Sequence, residues 1–128
     1  MTNPRLGEGC EMAFKTEHEL QVAVVIMLRE EVPSHVVWFA VPNGEWRDPA
    51  TSRKLKDQGV RSGVADLIFL GHGTALAIEL KTPFGKQSEP QRGFQNAWEG
   101  AGGVYKIARS VTDVRAILKY HMMLRNNF

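Results

Sequence analysis

Cysteine is nearly missing from this chain. Cys10 stands alone, so no intrachain disulfide and no thiolate metal cage can form, and a stapled secreted scaffold is excluded. A reducing compartment suits such a chain. Long apolar runs are also missing: the longest, residues 22–28 and 36–41, fall far short of the roughly 20 residues that a membrane-spanning helix needs. Met1-Thr2-Asn3-Pro4-Arg5 leads into glycine, glutamate and cysteine without an apolar segment, so no secretory signal is expected. Neither charge sign dominates. Sixteen Lys and Arg against 14 Asp and Glu leave +2, too even a balance for a polybasic tail or an acidic solvating segment. His18, His35, His72 and His121 are scattered without zinc spacing. Gly71 and Gly73 lack the third glycine and the following helix of a dinucleotide fingerprint, so no nucleotide cofactor is expected.

What remains is 128 residues, 43% of them hydrophobic, enough for one globular domain. An N-terminal tail (residues 1–15) and a single domain (16–128) are expected. In residues 16–31, Leu20, Val24, Val25, Met27 and Leu28 recur at helical spacing behind Thr16-x-x-Glu19, a capping-box pattern. Pro33 ends that helix. Residues 35–41 read as a strand closed by Pro42-Asn43-Gly44, with Trp38 and Phe39 at core positions. A short helix over 51–58 precedes two strands, 65–70 and 75–81, which form a hairpin around residues 71–74. Ser88 opens a helix carrying Phe94, Ala97, Trp98 and Ala101 on one face; residues 104–108 form a strand, and Ser110 or Thr112 opens the last helix. Leaving that short helix aside, the order αβββαβα places a mixed sheet of about four strands between helices, an α/β fold.

Charge is segregated along the chain. Arg47, Arg53, Lys54, Lys56 and Arg61 cluster against only Asp48 and Asp57. Such a stretch is either a footprint for nucleic-acid phosphates or a solvated surface. Trp46, in the same stretch, either stacks on a base or covers the edge of the core.

The hairpin holds the most informative residues. Strand periodicity sends Leu76, Ile78 and Leu80 to one face and Ala75, Ala77, Glu79 and Lys81 to the other. Pairing Leu70 with Ala75 sets Asp66 opposite Glu79, with Cβ atoms about 4.5–5.5 Å apart. Two facing carboxylates repel unless a cation or proton lies between them. A hard divalent ion such as Mg²⁺ fits the pair, and Lys81 beside it could serve a water or a phosphate. The alternative is an ordinary ion pair at a sheet edge. Three charges in an otherwise apolar hairpin favour the functional reading. His72, in the turn of the hairpin, is expected next to this site, where it either contacts a phosphate or, as the preferred reading for a turn histidine between glycines, is solvated.

Gly59-Val60-Arg61-Ser62-Gly63-Val64-Ala65-Asp66-Leu67-Ile68, then Ile78-Glu79-Leu80-Lys81-Thr82 and Gly85-Lys86-Gln87-Ser88-Glu89-Pro90-Gln91, resemble the VRR-NUC nucleases of the PD-(D/E)xK superfamily, in their compact stand-alone phage or bacterial form. Thr16-Glu17 with Leu20-Gln21, Pro42-Asn43-Gly44, Ala101-Gly102-Gly103-Val104 and Ala108-Arg109-Ser110-Val111 extend the resemblance over nearly the whole chain from residue 16. One departure is Ala65, where the superfamily has proline before the aspartate. It removes no ligand.

The resemblance implies a restriction-endonuclease-like core and a metal site made of Asp66, Glu79 and the backbone carbonyl of Leu80, with Mg²⁺ or Mn²⁺ as cofactor. It implies that Lys81 serves the attacking water and that Glu17, ahead of Glu19, completes the acidic set from the first helix. Glu19 is left to capping. Gln91 is implied to face the metal site, although Ser88-Glu89-Pro90-Gln91 equally satisfies a capping box. Arg47, Arg53, Lys54, Lys56, Arg61 and Lys86 are the expected DNA contacts. The function implied is a metal-dependent DNA endonuclease selective for branched substrates such as four-way (Holliday) junctions. It would act as a homodimer, joined through Trp46 or the final helix, in the cytoplasm of a bacterial or phage-infected cell. The alternatives are a non-cleaving nucleic-acid-binding module and a monomeric nicking nuclease.

Overall fold

The structure, a computed structural model, describes residues 14–42 and 48–125. Cys10, Trp46 and Arg47 lie outside the described residues. Helix α1 (Glu17–Glu31) starts where expected: the Thr16 hydroxyl accepts the Glu19 N–H at 3.0 Å. The return leg of the capping box is displaced by one residue, because Glu19 accepts the N–H of Lys15 rather than that of Thr16. Val32, forced into extended geometry by the proline that follows, ends the helix.

Strand β1 (Val37–Ala40) is shorter than the 35–41 run, because Val36 already donates back to the Pro33 carbonyl in a turn. Helix α2 (Pro49–Asp57) is capped by Asp48, which accepts the Thr51 N–H at 2.7 Å, and none of its residues is buried. Strands β2 (Leu67–Gly71) and β3 (Thr74–Leu80) form the hairpin in the expected register, Leu70 opposite Ala75. The turn is tighter than four residues. Gly71 still pairs with Thr74, and His72 and Gly73 alone make it, both at positive φ (53° and 75°), as a two-residue hairpin turn matched to strand twist demands.

Helix α3 (Glu89–Gly100), strand β4 (Val104–Ala108) and helix α4 (Val111–Tyr120) complete the order. The sheet runs β1-β2-β3-β4, antiparallel except for the parallel β3–β4 pair, which the α3 crossover makes possible.

One sheet face packs Leu67, Phe69, Leu76, Ile78 and Leu80 against Leu20, Val24 and Leu28 of α1 and Val114 and Leu118 of α4. Burying each of these side chains contributes roughly 1.5–3 kcal/mol. The other face carries a smaller cluster, Ala65, Ala77, Phe94 and Tyr105, under α3. Two expectations about this layer fail. Ala97 and Ala101 are not in the core, because α3 packs over β4 through Phe94 and Trp98 only: Ala101 is exposed and Ala97 stays outside the buried cluster. Phe39 is 52% exposed: Trp38 takes the face covered by α1, and strand alternation then turns Phe39 to the opposite face, which α3 does not reach. No helix among the described residues is long and apolar enough to cross a membrane.

Candidate functional site

The site forms at the end of β3, where the N-termini of α1 and α3 meet the sheet. Asp66 immediately precedes β2, and its carboxylate accepts the Leu80 N–H at 2.8 Å, which fixes it against β3. Glu79 and Lys81, sharing one strand face, are 1% and 6% exposed. The Lys81 ammonium stands 3.7 Å from Glu79 Oε2 and 3.7 Å from Glu17 Oε2, so one cation bridges the strand and the first turn of α1. Glu17, not Glu19, turns toward the site.

Gln91 both caps α3 and reaches Glu79. Its Oε1 accepts the Ser88 N–H at 2.8 Å while Ser88 Oγ accepts the Gln91 N–H, closing the capping box, and its Nε2 donates to Glu79 Oε2 at 2.7 Å. Next to Gln91 the chain approaches α3 closely. Gly63, at φ 78°, lies so near α3 that a Cβ there would sit 2.2 Å from the Pro90 carbonyl oxygen.

Burial dominates the electrostatics. Desolvation, then the negative charge of Asp66, push the Glu79 carboxyl up to about 8, with Lys81 opposing. Desolvation also raises Asp66, against the Leu80 N–H, and the charge of Glu17 adds to the rise. Glu79 Oε1 is buried without a hydrogen-bond donor in the described structure, and a proton on Glu79 is shared with the Asp66 carboxylate. An orphaned carboxylate oxygen beside a second carboxylate suits a hard cation that takes oxygen donors. Among the described residues no group of three His, Cys, Asp or Glu converges to cage an ion. Asp66 and Glu79 are the two carboxylates that face each other there, oxygen donors of the kind that a hydrated divalent ion accepts.

The carboxylates open into a cleft of about 1150 Å³ that α2 and the 60–64 segment border. Lys56 and Arg61 line it; Arg61 is anchored with its guanidinium 5.8 Å from the Phe94 ring centroid. Arg53 and Lys54 are exposed on α2 without lining the cleft, and Lys86 is exposed just past β3. His18 and Ser62 also line the cleft, which sequence reasoning did not anticipate. The adjacency of His18 to Glu17 was the available signal. His72 is not next to the site: the hairpin turn is at the opposite end of β3, about 20 Å away at strand rise, with its ring 5.2 Å from that of His35.

A solved structure described as a VRR_NUC domain protein superimposes on 88% of this chain and 93% of its own, at a TM-score of 0.67 and 17% sequence identity. The fold is VRR-NUC-like. No family model and no curated protein matches the chain. Within the VRR-NUC-like fold, Asp66, Glu79, Lys81, Glu17 and Gln91 converge at one end of the sheet.

Proposed function

We propose that this protein is a divalent-metal-dependent DNA endonuclease that hydrolyses phosphodiester bonds and prefers branched DNA such as four-way junctions. The observation that carries this reading is the buried Glu79, with no hydrogen-bond donor to its Oε1, facing the half-buried Asp66 and 3.7 Å from the Lys81 ammonium, where the two carboxylates open into a cleft also lined by Lys56 and Arg61. An ion pair serving only a sheet edge would stay wet, whereas a carboxylate 1% exposed is costly without a compensating cation or proton. The VRR-NUC-like fold supports the same reading.

Asp66, Glu79 and the Leu80 main-chain carbonyl would hold Mg²⁺ or Mn²⁺. Bound there, the ion supplies Lewis acidity and lowers the pKa of a water. Lys81, steered by Glu17 and Glu79, orients the attacking water and offsets charge building on the phosphate. Gln91 holds the Glu79 carboxylate in place. Lys56, Arg61, Lys86 and the exposed cations of α2 take backbone phosphates, which sets register on DNA without reading bases. One chain offers one such site, so paired incisions require a two-fold homodimer; Tyr120 and Met122, exposed at the end of the last helix, are available for the contact.

Incubating the protein with labelled duplex and four-way junctions tests this. Paired nicks in the junction with Mg²⁺ or Mn²⁺, none in EDTA, and a sedimenting mass twice 14.3 kDa are expected. Binding without cleavage of any DNA would contradict the nuclease, and symmetric resolution by a 14.3 kDa species would contradict the dimer.

A further inference from the structure

Three residues beyond Lys81, Phe84 is 93% exposed. It sits on a turn, closed by the Gly85 N–H donating to the Thr82 carbonyl, that is braced from below: Arg109 Nη1 donates to the carbonyls of Thr82 (2.7 Å), Gly85 (2.9 Å) and Pro83 (3.3 Å). Gly85 lies beside the lysine of the site: a Cβ built there would be 3.5 Å from Lys81 Cδ. An aromatic ring pushed wholly into water on a stiffened turn is unfavourable for folding by itself. Its rigidity lowers the ordering cost of binding a flat partner.

We propose that Phe84 is a stacking wedge for an unpaired or splayed nucleobase close to the phosphate held at Lys81. This rests on the nucleic-acid reading above. Geometry favours a base over a protein surface. Three residues span at most about 11 Å, close to three base steps of about 3.4 Å, so a strand lying at Lys81 passes within reach of the ring. Lys86, exposed two residues on, would take an adjoining phosphate. The neighbours of Phe84 on the turn are Thr82, Pro83 and Gly85, none of them a large hydrophobic side chain; the exposed Val37, Phe39 and Leu70 belong to β1 and β2 and Ile107 to β4. Duplex DNA hides its base faces, so such a wedge rewards branch points, gaps and single strands over uniform duplex.

The experiment measures binding in EDTA, where cleavage is off, of wild type, Phe84→Ala and Phe84→Trp to a duplex and to a four-way junction carrying 2-aminopurine at the branch. Phe84→Ala is expected to keep the thermal midpoint, to lose roughly 10- to 100-fold in junction affinity with little change on duplex, and to abolish the 2-aminopurine fluorescence change. Phe84→Trp should restore both. Equal junction affinity and an unchanged fluorescence response in Phe84→Ala would overturn the wedge while leaving the nuclease reading intact. A drop in sedimenting mass in Phe84→Ala would overturn it in favour of self-association. Wild type that binds neither DNA would overturn both.

Discussion

Gln91 Nε2 lies 2.7 Å from Glu79 Oε2 while the same side chain closes the capping box of α3 through Ser88. Helix start and acidic site are thereby one structural unit: the residue that sets where α3 begins also sets where the buried carboxylate points.

The two roles are separable by substitution. Gln91→Glu keeps an acceptor for the Ser88 N–H, and so the cap, but faces Glu79 with a like charge. Ser88→Ala removes the cap and leaves the amide. Ser88→Ala is expected to cost about 1 kcal/mol of stability with cleavage within a few fold of wild type. Gln91→Glu is expected to do the reverse, with near-native stability in Mg²⁺ and cleavage reduced at least tenfold. Urea unfolding beside single-turnover cleavage checks both.

Burial of Glu79 makes the metal-free protein pH-sensitive. Its folded pKa of about 8 lies above the ordinary value of 4.5, so between the two the folded state holds a proton that the unfolded state has lost. The stabilisation is complete below about 4.5 and is lost as pH rises through about 8. Asp66, also raised, acts in the same direction. Urea unfolding in EDTA should show stability falling between about pH 5 and pH 8, by an amount on the order of a few kcal/mol. In Glu79→Gln that slope should be much shallower, with greater stability than wild type at about pH 8.

Much of this site was legible in the residues. The alternation that put Glu79 and Lys81 on one face, and the pairing that set Asp66 opposite, need only strand geometry, and β2 and β3 have that register. Gln91 was legible as two competing roles because capping is local and the bond to Glu79 spans 12 positions, a separation that spacing rules do not cover. Phe39 misled because alternation says that Trp38 and Phe39 oppose each other but not which sheet face lacks a helix. The brace from Arg109 to residues 82–85, 24–27 positions away, and the approach of Gly63 to Pro90 arise from tertiary packing and leave no periodic trace.

The closeness of Gly63 to Pro90 is itself testable. Gly63→Ala combines strain at φ 78° with a clash against backbone, whereas Gly59→Ala, at φ 93°, meets nothing within 4 Å. Gly59→Ala should cost about 1 kcal/mol, from backbone strain alone. Gly63→Ala should cost clearly more and also depress cleavage, by shifting Gln91 from Glu79. Equal destabilisation in the two variants would contradict the close approach.

Electrostatic docking is tested by the cations beside the cleft. Neutralising Arg53, Lys54, Lys56 and Arg61 together should weaken DNA binding and flatten the dependence of log K on log salt by about 0.9 for each phosphate no longer neutralised. The circular dichroism spectrum should be unchanged, since all four side chains are exposed. An unaltered slope would leave that segment a solvated surface.

Asp66 and Glu79 are proposed to form a metal-dependent phosphodiester-cleaving site. The most direct measurement is cleavage of a labelled four-way junction in Mg²⁺ by wild type and by the isosteric double variant Asp66→Asn/Glu79→Gln, with equal folding verified by circular dichroism. Cleavage should fall at least a thousandfold in the double variant, about 4 kcal/mol of transition-state stabilisation, while junction binding persists. Cleavage within tenfold of wild type would show that the chemistry does not reside at these carboxylates.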